Sequence, residues 1–291
     1  MQDKALLFVN DRDFSTPSAP LFRLLAIARG LVENGVFVYW FTLGREPIDE
    51  ITNDPFYKNI KFIKIGKQNK EIMRSRIVFY LYLRILELRL QPHLNNIAEH
   101  FKNIVCFTVG DDFWHLFNIV TVCKKKGIRV FHERTEYPLL NKKSLRQKFN
   151  VKLYLKYIVP RFDHIFVISN ALKHFFDAHV KLYNKKIPVS ILNMIVEPDR
   201  YSCSYSSIDS KYKDIVYVGT MYGDKDGVYY LLEAFLKIYQ DYPDSRLILI
   251  GDNTKVLQMQ RINDILSKIQ YSDRIIFTGQ LDRKSVIEKI N

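Results

Sequence analysis

The stretch DIVYVGTMYGDKDGVYYLLEAF, residues 214–235, decides the fold. Ile215–Val218 is a short apolar run that stops at Gly219, which reads as a buried strand. A polar loop with Lys225 follows. From Gly227 onward the apolar positions Val228, Leu231, Leu232 and Phe235 recur every three to four residues, the period of a helix with one buried face. Strand, glycine turn, helix leaves free backbone N–H groups and the positive end of the helix dipole facing an anion. A lysine in that turn adds a point charge suited to a phosphate. An ordinary βα turn, with glycine needed only for its backbone freedom, accounts for the same residues.

Outward from this stretch the pattern repeats. Ala5–Asn10 reads as a first strand, Leu21–Glu33 as a helix ended by Asn34–Gly35, and Val36–Thr42 as a second strand. Ile60–Ile65, Ile104–Val109, Arg129–His132, His164–Ile168 and Val189–Leu192 are further strands, with helical segments between most of them. Apolar strands alternating with helices imply a parallel sheet covered on both faces. The polar, serine-rich stretch Ser202–Ser210 then marks a boundary, giving domains of residues 1–200 and 201–291. Past it come the strands Arg246–Ile250 and Arg274–Thr278, each closed by a glycine, and helices over Val256–Ile269 and Arg283–Ile290. Three strands make a small second sheet, so the second domain reads as incomplete.

Composition narrows the function classes. The 291 residues are 47% hydrophobic and 26% charged, enough to bury a substantial core. Cys106, Cys123 and Cys203 lie far apart in an odd count, which points to a reducing compartment rather than a disulfide framework. The start, MQDKALLFVN, lacks the basic end and long apolar core of a signal peptide. The run Ile77–Leu83 is too short to span a bilayer. A cytoplasmic protein is expected. Charge is lopsided: residues 1–200 hold 32 Lys and Arg against 19 Asp and Glu, whereas residues 201–291 hold 12 against 12. The net charge of +13 therefore belongs to the first domain and implies an anionic partner there.

In this order the pieces resemble the family-4 glycosyltransferases of the GT-B fold, along nearly the entire chain. YVGTMYGDKDGVYYLLEAF (217–235) is similar to the family's V-G-R…K-G…L-L-x-A-F segment. RLILIGD (246–252) and RIIFTGQLDRKSV (274–286) resemble its next two strands. FDHIFVISNALKHFF (162–176) and ILNMIVEPDRY (191–201) resemble first-domain and interdomain segments. The resemblance implies an α/β protein of two Rossmann-like domains facing a cleft. It also implies retaining transfer of a sugar from a nucleotide-sugar donor, with no metal and no other cofactor, in cell-surface polysaccharide or glycoconjugate synthesis. By it, Gly219, Thr220, Lys225 and Gly251 hold the donor phosphates, and Gln280 and Leu281 lie near the base. Thr220 stands where relatives carry an arginine, which removes one bidentate cation. The resemblance places His132 at the donor sugar; the alternative is a hydrogen-bonded histidine at a strand end. Glu133, Arg134 and Glu136 cluster at the same strand mouth, where open α/β sheets bind ligands, and are the acceptor-side candidates. An E-x7-E motif found in relatives is not in these residues, so weak or no transfer is expected from this chain.

Other motifs carry less. Asp11-x-Asp13 and Asp224-x-Asp226 match a metal-binding tripeptide of a different glycosyltransferase fold, but it arises often by chance. The seven histidines have no metal-ligand spacing. Asn141–Arg161 holds seven basic residues and no acid, with Leu145, Phe149, Leu153 and Tyr157 at helical spacing beside Lys148, Lys152 and Lys156. Lys70–Leu90 sets Arg74, Arg76, Arg84 and Arg89 around its apolar run. Such helices lie on an anionic bilayer, or pack their stripes on the sheet and leave the lysines in water. The expected partners are a nucleotide-sugar donor, a saccharide or lipid-linked acceptor and an anionic membrane at its inner face, without nucleic acid. The competing readings are a non-catalytic protein that binds membrane or a partner, and a GT-B nucleotide-sugar epimerase.

Overall fold

The computed structural model describes residues 2–10, 18–43, 49–66, 76–138, 144–183, 186–197, 212–221, 226–252, 260–267 and 274–290. The chain forms two compact units, Met1–Val196 and Glu197–Asn291. Both are α/β.

In the first unit the strands are β1 (Gln2–Asn10), β2 (Phe37–Leu43), β3 (Ile60–Ile65), β4 (Phe101–Val109), β5 (Arg129–Arg134), β6 (His164–Val167) and β7 (Val189–Ile191). Between them run α1 (Ala19–Glu33), the single turn α2 (Asp49–Thr52), α3 (Arg76–His100), α4 (Phe113–Lys125), α5 (Leu145–Leu153) and α6 (Asn170–Lys181). The sheet order is β3-β2-β1-β4-β5-β6-β7, and neighbouring strands pair in parallel. The order reverses between β1 and β4, so this is a doubly wound sheet with its switch point there.

Both faces are covered, which is why the strands read as continuous apolar runs. On β1, Ala5, Leu7 and Val9 point to one core, with Leu86, Leu90 and Leu94 of α3 and Val120 of α4. Leu6 and Phe8 point to the other, with Leu21, Leu24 and Leu25 of α1. Strand pairing reaches past the apolar residues: Gln2 pairs with Phe101 and Lys4 with Asn103. Backbone N–H and C=O groups pair whatever the side chains, so β1 and β4 begin earlier than hydrophobicity indicates. Cys106 and Cys123 are buried free thiols. Among the described residues no helix is long and apolar enough to cross a membrane.

The second unit has β8 (Lys213–Val218), α7 (Val228–Ile238), β9 (Ser245–Ile250), α8 (Gln260–Leu266), β10 (Ile275–Gly279) and α9 (Arg283–Ile290). Its parallel sheet runs β10-β9-β8. The helical spacing of the opening stretch holds, since Val228, Leu232 and Phe235 are buried against Leu247, Leu249 and Ile275. Arg274 is buried and closes the end of α7. Its guanidinium donates to the carbonyls of Tyr242 at 2.7 Å, Tyr239 at 3.3 Å and Ser245. A buried cation is tolerated because its donors find carbonyls that the helix and turn leave open.

Candidate functional site

At the C-terminal ends of β4 and β5 and the start of α1, the first unit encloses a cavity of about 210 Å³. Arg23, Glu133, Arg134, Glu136, Gly110 and Met194 are among its lining residues. It lies at the switch point, where neighbouring connections leave to opposite faces and open a crevice. The three residues expected on the acceptor side, Glu133, Arg134 and Glu136, therefore share one cavity.

Strand alternation sorts these side chains. Glu133 turns toward α1, where Arg23 Nε and Nη2 both donate to its Oε1 at 2.9 and 2.8 Å. Arg23 also donates to the carbonyls of Asn193 at 2.7 Å and Leu192 at 2.8 Å, just past β7. Both ends of this ion pair are buried. Arg134 turns to the opposite face. Its Nη2 lies 3.4 Å from Asp111 Oδ2 and 3.3 Å from the Glu136 carbonyl. Its guanidinium sits 5.9 Å from the centre of the Tyr154 ring. Arg134 Nε is buried and has no hydrogen-bond partner among the described residues. A buried N–H without a partner costs about 1–3 kcal/mol, and the Arg134 guanidinium as a whole lines the cavity as a donor group. With the exposed Glu136 carboxylate it offers both hydrogen-bond signs, as a polyhydroxy compound needs.

His132 has the environment of the strand-end alternative. It is fully buried and is not part of the cavity lining. Its ring stacks on Phe162 at 4.2 Å, the two planes nearly parallel. Nδ1 lies 2.9 Å from Thr108 Oγ1 and Nε2 2.9 Å from the Tyr154 hydroxyl. Thr108 has one hydroxyl proton and gives it to the Phe131 carbonyl at 3.2 Å, so Nδ1 must donate and Nε2 must accept. Burial pushes the Tyr154 phenol well above its ordinary value, which keeps that donor protonated. In this conformation His132 fixes the strand beneath the cavity; it does not reach into it. Tyr154→Phe would remove the hydroxyl that donates to Nε2. A loss of about 1–3 kcal/mol in urea denaturation is expected, and no loss would overturn this proton arrangement.

The second unit presents a different surface. Gly219, Gly251 and Gly279 stand at the C-terminal ends of β8, β9 and β10, joined by Gly219 N–H to the Ile250 carbonyl (3.0 Å) and Gly251 N–H to the Gly279 carbonyl (2.9 Å). The result is a rim of backbone without side chains. A Cβ at Gly219 would come 2.4 Å from the Tyr217 hydroxyl, so the Tyr217 side chain would have to move aside. Thr220 is exposed, and its hydroxyl donates to Asp226 Oδ2 at 3.3 Å. Met221 takes a left-handed backbone (φ 49°) with its side chain buried in the core, a strained combination that clusters at functional loops. Gly227 caps α7 at φ 68° and offers no side-chain acceptor to the first N–H groups of the helix. Gln280 is exposed and Leu281 half-buried, both directly beyond the rim. Lys225, Asp224, Asp11 and Asp13 lie outside the described residues. Among the described residues no group of three His, Cys, Asp or Glu is placed to hold a metal.

Sequence reasoning missed Arg23, Tyr154 and Thr108. Arg23 left a signal: a lone cation among Leu21, Leu24 and Leu25 on the core face of an apolar helix. Tyr154 and Thr108 left none, since both types are ordinary in half-buried elements.

Residues 212–291 match the family model described as Glycosyl transferases group 1. No curated protein matches the chain in sequence. Among solved structures the chain is similar to Anabaena HepE, determined with UDP and glucose, at 12% identity and a TM-score of 0.63, over 96% of this chain and 70% of that one. It is similar to α,α-trehalose 6-phosphate synthase from Burkholderia multivorans at 14% identity and a TM-score of 0.60, over 100% of this chain and 76% of that one. It is also similar to WaaG, a glycosyltransferase involved in lipopolysaccharide biosynthesis, at 14% identity and a TM-score of 0.56, over 98% and 72%. At these identities the structures establish the fold, which is GT-B, and the family match is confined to residues 212–291 of the second unit.

Proposed function

We propose that this glycosyltransferase of the GT-B fold transfers a sugar from a nucleotide-sugar donor, with retention at the anomeric carbon and without a metal. The observation that carries this reading is the glycine rim Gly219–Gly251–Gly279 inside the segment that matches the group 1 family. The Gly219 and Gly251 N–H groups are spent on neighbouring carbonyls, so the rim offers close backbone approach without side chains in the way, and the N–H groups at the start of α7, which no side chain caps, bind the oxygens of a diphosphate. Lys225 supplies the cation, Thr220 a hydroxyl, and Gln280 and Leu281 flank the base. HepE was determined with UDP, which supports a uridine nucleotide as the first donor to try.

The acceptor binds in the first-unit cavity, against Arg134 and Glu136. It is a saccharide or lipid-linked saccharide destined for cell-surface polysaccharide or glycoconjugate. The protein works in the cytoplasm at the inner membrane face, a reading supported by the net charge of +13.

Calorimetric titration with UDP and UDP-sugars tests the donor half, and NMR of the product's anomeric centre tests retention. Lys225→Ala is expected to weaken UDP binding roughly 10–100-fold, the loss of one charge-assisted hydrogen bond. Absence of binding by any uridine, guanosine or adenosine diphosphate sugar would sink the donor assignment.

A further inference from the structure

We infer that α3, α4 and α5 of the first unit form one face that inserts into an anionic lipid surface. This rests on the reading of the first unit as the membrane-facing one and assigns that contact to particular residues. A soluble domain normally turns large apolar side chains inward, yet here three adjacent helices turn them out. On α5, Leu145 is 85% exposed and Phe149 61% exposed. On α3, Leu81 is 62% and Leu88 65% exposed, while Leu86, Leu90 and Leu94 on the opposite side pack into the core. Trp114 and Phe117 of α4 are exposed between them.

Contacts around the buried Phe113 ring tie the three helices together beneath these side chains. Arg84 of α3 donates to the Trp114 carbonyl at 2.8 Å and sits 5.9 Å from the centre of the Trp114 ring. The Phe113 ring lies 5.0 Å from Trp114, 5.7 Å from Phe117 and 6.5 Å from Tyr157, which follows α5. Arg161 covers Phe117 at 5.3 Å.

Charge selects the occupant. Lys148, Lys152 and Lys156 are exposed beside Phe149 and Tyr157. The neighbouring acids are turned away from this face. Glu87 is buried and held by Arg84 at 2.8 Å, His115 at 3.1 Å and Asn118. Asp112 accepts the His115 N–H at 2.8 Å. Protein interfaces deplete lysine, whereas the boundary between headgroups and acyl chains suits aromatic rings set beside long cationic side chains. An anionic bilayer supplies both complements at once, phosphate for the lysines and hydrocarbon for Phe149 and Leu145.

Co-sedimentation of the full chain with vesicles of phosphatidylglycerol and phosphatidylcholine in equal parts, against pure phosphatidylcholine, tests the assignment. The protein is expected on the mixed vesicles only. Lys148→Gln with Lys152→Gln should weaken partitioning roughly 30-fold, from the typical contribution of each cation near such a surface. Phe149→Ser, which leaves the charge unchanged, should weaken it about tenfold. All three positions are exposed, so circular dichroism should show the native fold. No sedimentation of the wild type with either vesicle overturns the membrane reading itself. Wild-type binding that all these variants share overturns only the assigned face. Single-stranded DNA that binds with the same lysine dependence, and is indifferent to Phe149→Ser, would also overturn it, in favour of a polyanion without a bilayer.

Discussion

Gly251→Ala is expected to cost the second unit roughly 3–5 kcal/mol and to abolish binding of the donor nucleotide. Gly251 sits at φ 140°, a region that residues with a Cβ avoid. A Cβ built there would lie 1.8 Å from the Gly219 carbonyl oxygen and 2.9 Å from its carbon. These are backbone atoms and cannot rotate aside. The Gly219 N–H is tied to the Ile250 carbonyl at 3.0 Å and the Gly251 N–H to the Gly279 carbonyl at 2.9 Å, so relief means breaking the sheet at its C-terminal edge. Gly227→Ala is the control. It shares a positive φ, 68°, but nothing lies within 4 Å of its Cβ, so only about 1 kcal/mol is expected. Equal losses in the two variants, measured by guanidinium denaturation, would show that the strands do not approach so closely. Nucleotide binding retained by Gly251→Ala would remove the rim from the site.

How much of this was legible in the sequence depends on the range of the interaction. The pattern in 214–235 is local: α7 buries through its own period and forms as read, whereas β8 forms as a strand at the edge of its sheet, with Ile215 and Val218 exposed rather than buried. The parallel order is legible for the same reason, since each strand-to-strand connection carries its helix. Strand ends were less legible. β5 continues to Arg134 because its backbone pairs with β6 as far as Val167, and this places Glu133 and Arg134 in the strand rather than in the loop after it. The cavity inherits its geometry from that extension. The lining of the cavity was legible by residue type, through Glu133, Arg134 and Glu136. Its supports were not, because their partners are remote in sequence. Arg23 meets Glu133 across 110 positions and Leu192 across 169. His132 illustrates the limit from the other side. Its position in the chain marks it for the cleft, while its environment depends on Thr108, Tyr154 and Phe162, three residues from three separate elements.

Arg23→Met is expected to destabilise the first unit by about 3–5 kcal/mol, the usual cost of removing one partner from a buried ion pair. The wild-type guanidinium spends its donors on Glu133 Oε1 and on the Leu192 and Asn193 carbonyls. Methionine keeps much of the volume and supplies none of them. Glu133 is then a carboxylate buried without a cation, and two carbonyls past β7 lose their donor. Those two losses can be separated. Replacing both partners, Arg23→Met with Glu133→Leu, removes the stranded charge but leaves the carbonyls unsatisfied. The double variant should therefore regain part of the stability and remain below the wild type by about 1–3 kcal/mol. A double-mutant cycle in urea gives the coupling directly. Full recovery in the double variant would mean that the carbonyl bonds contribute nothing. A cost below about 1 kcal/mol for Arg23→Met alone would mean that the pair is open to water and behaves as a surface salt bridge. The same cycle bears on the proposed function, because Arg23 and Glu133 line the cavity proposed for the acceptor. If the pair acts by holding the cavity's shape, the double variant should restore fold and keep UDP affinity while acceptor KM stays raised, since the donor rim belongs to a separate unit.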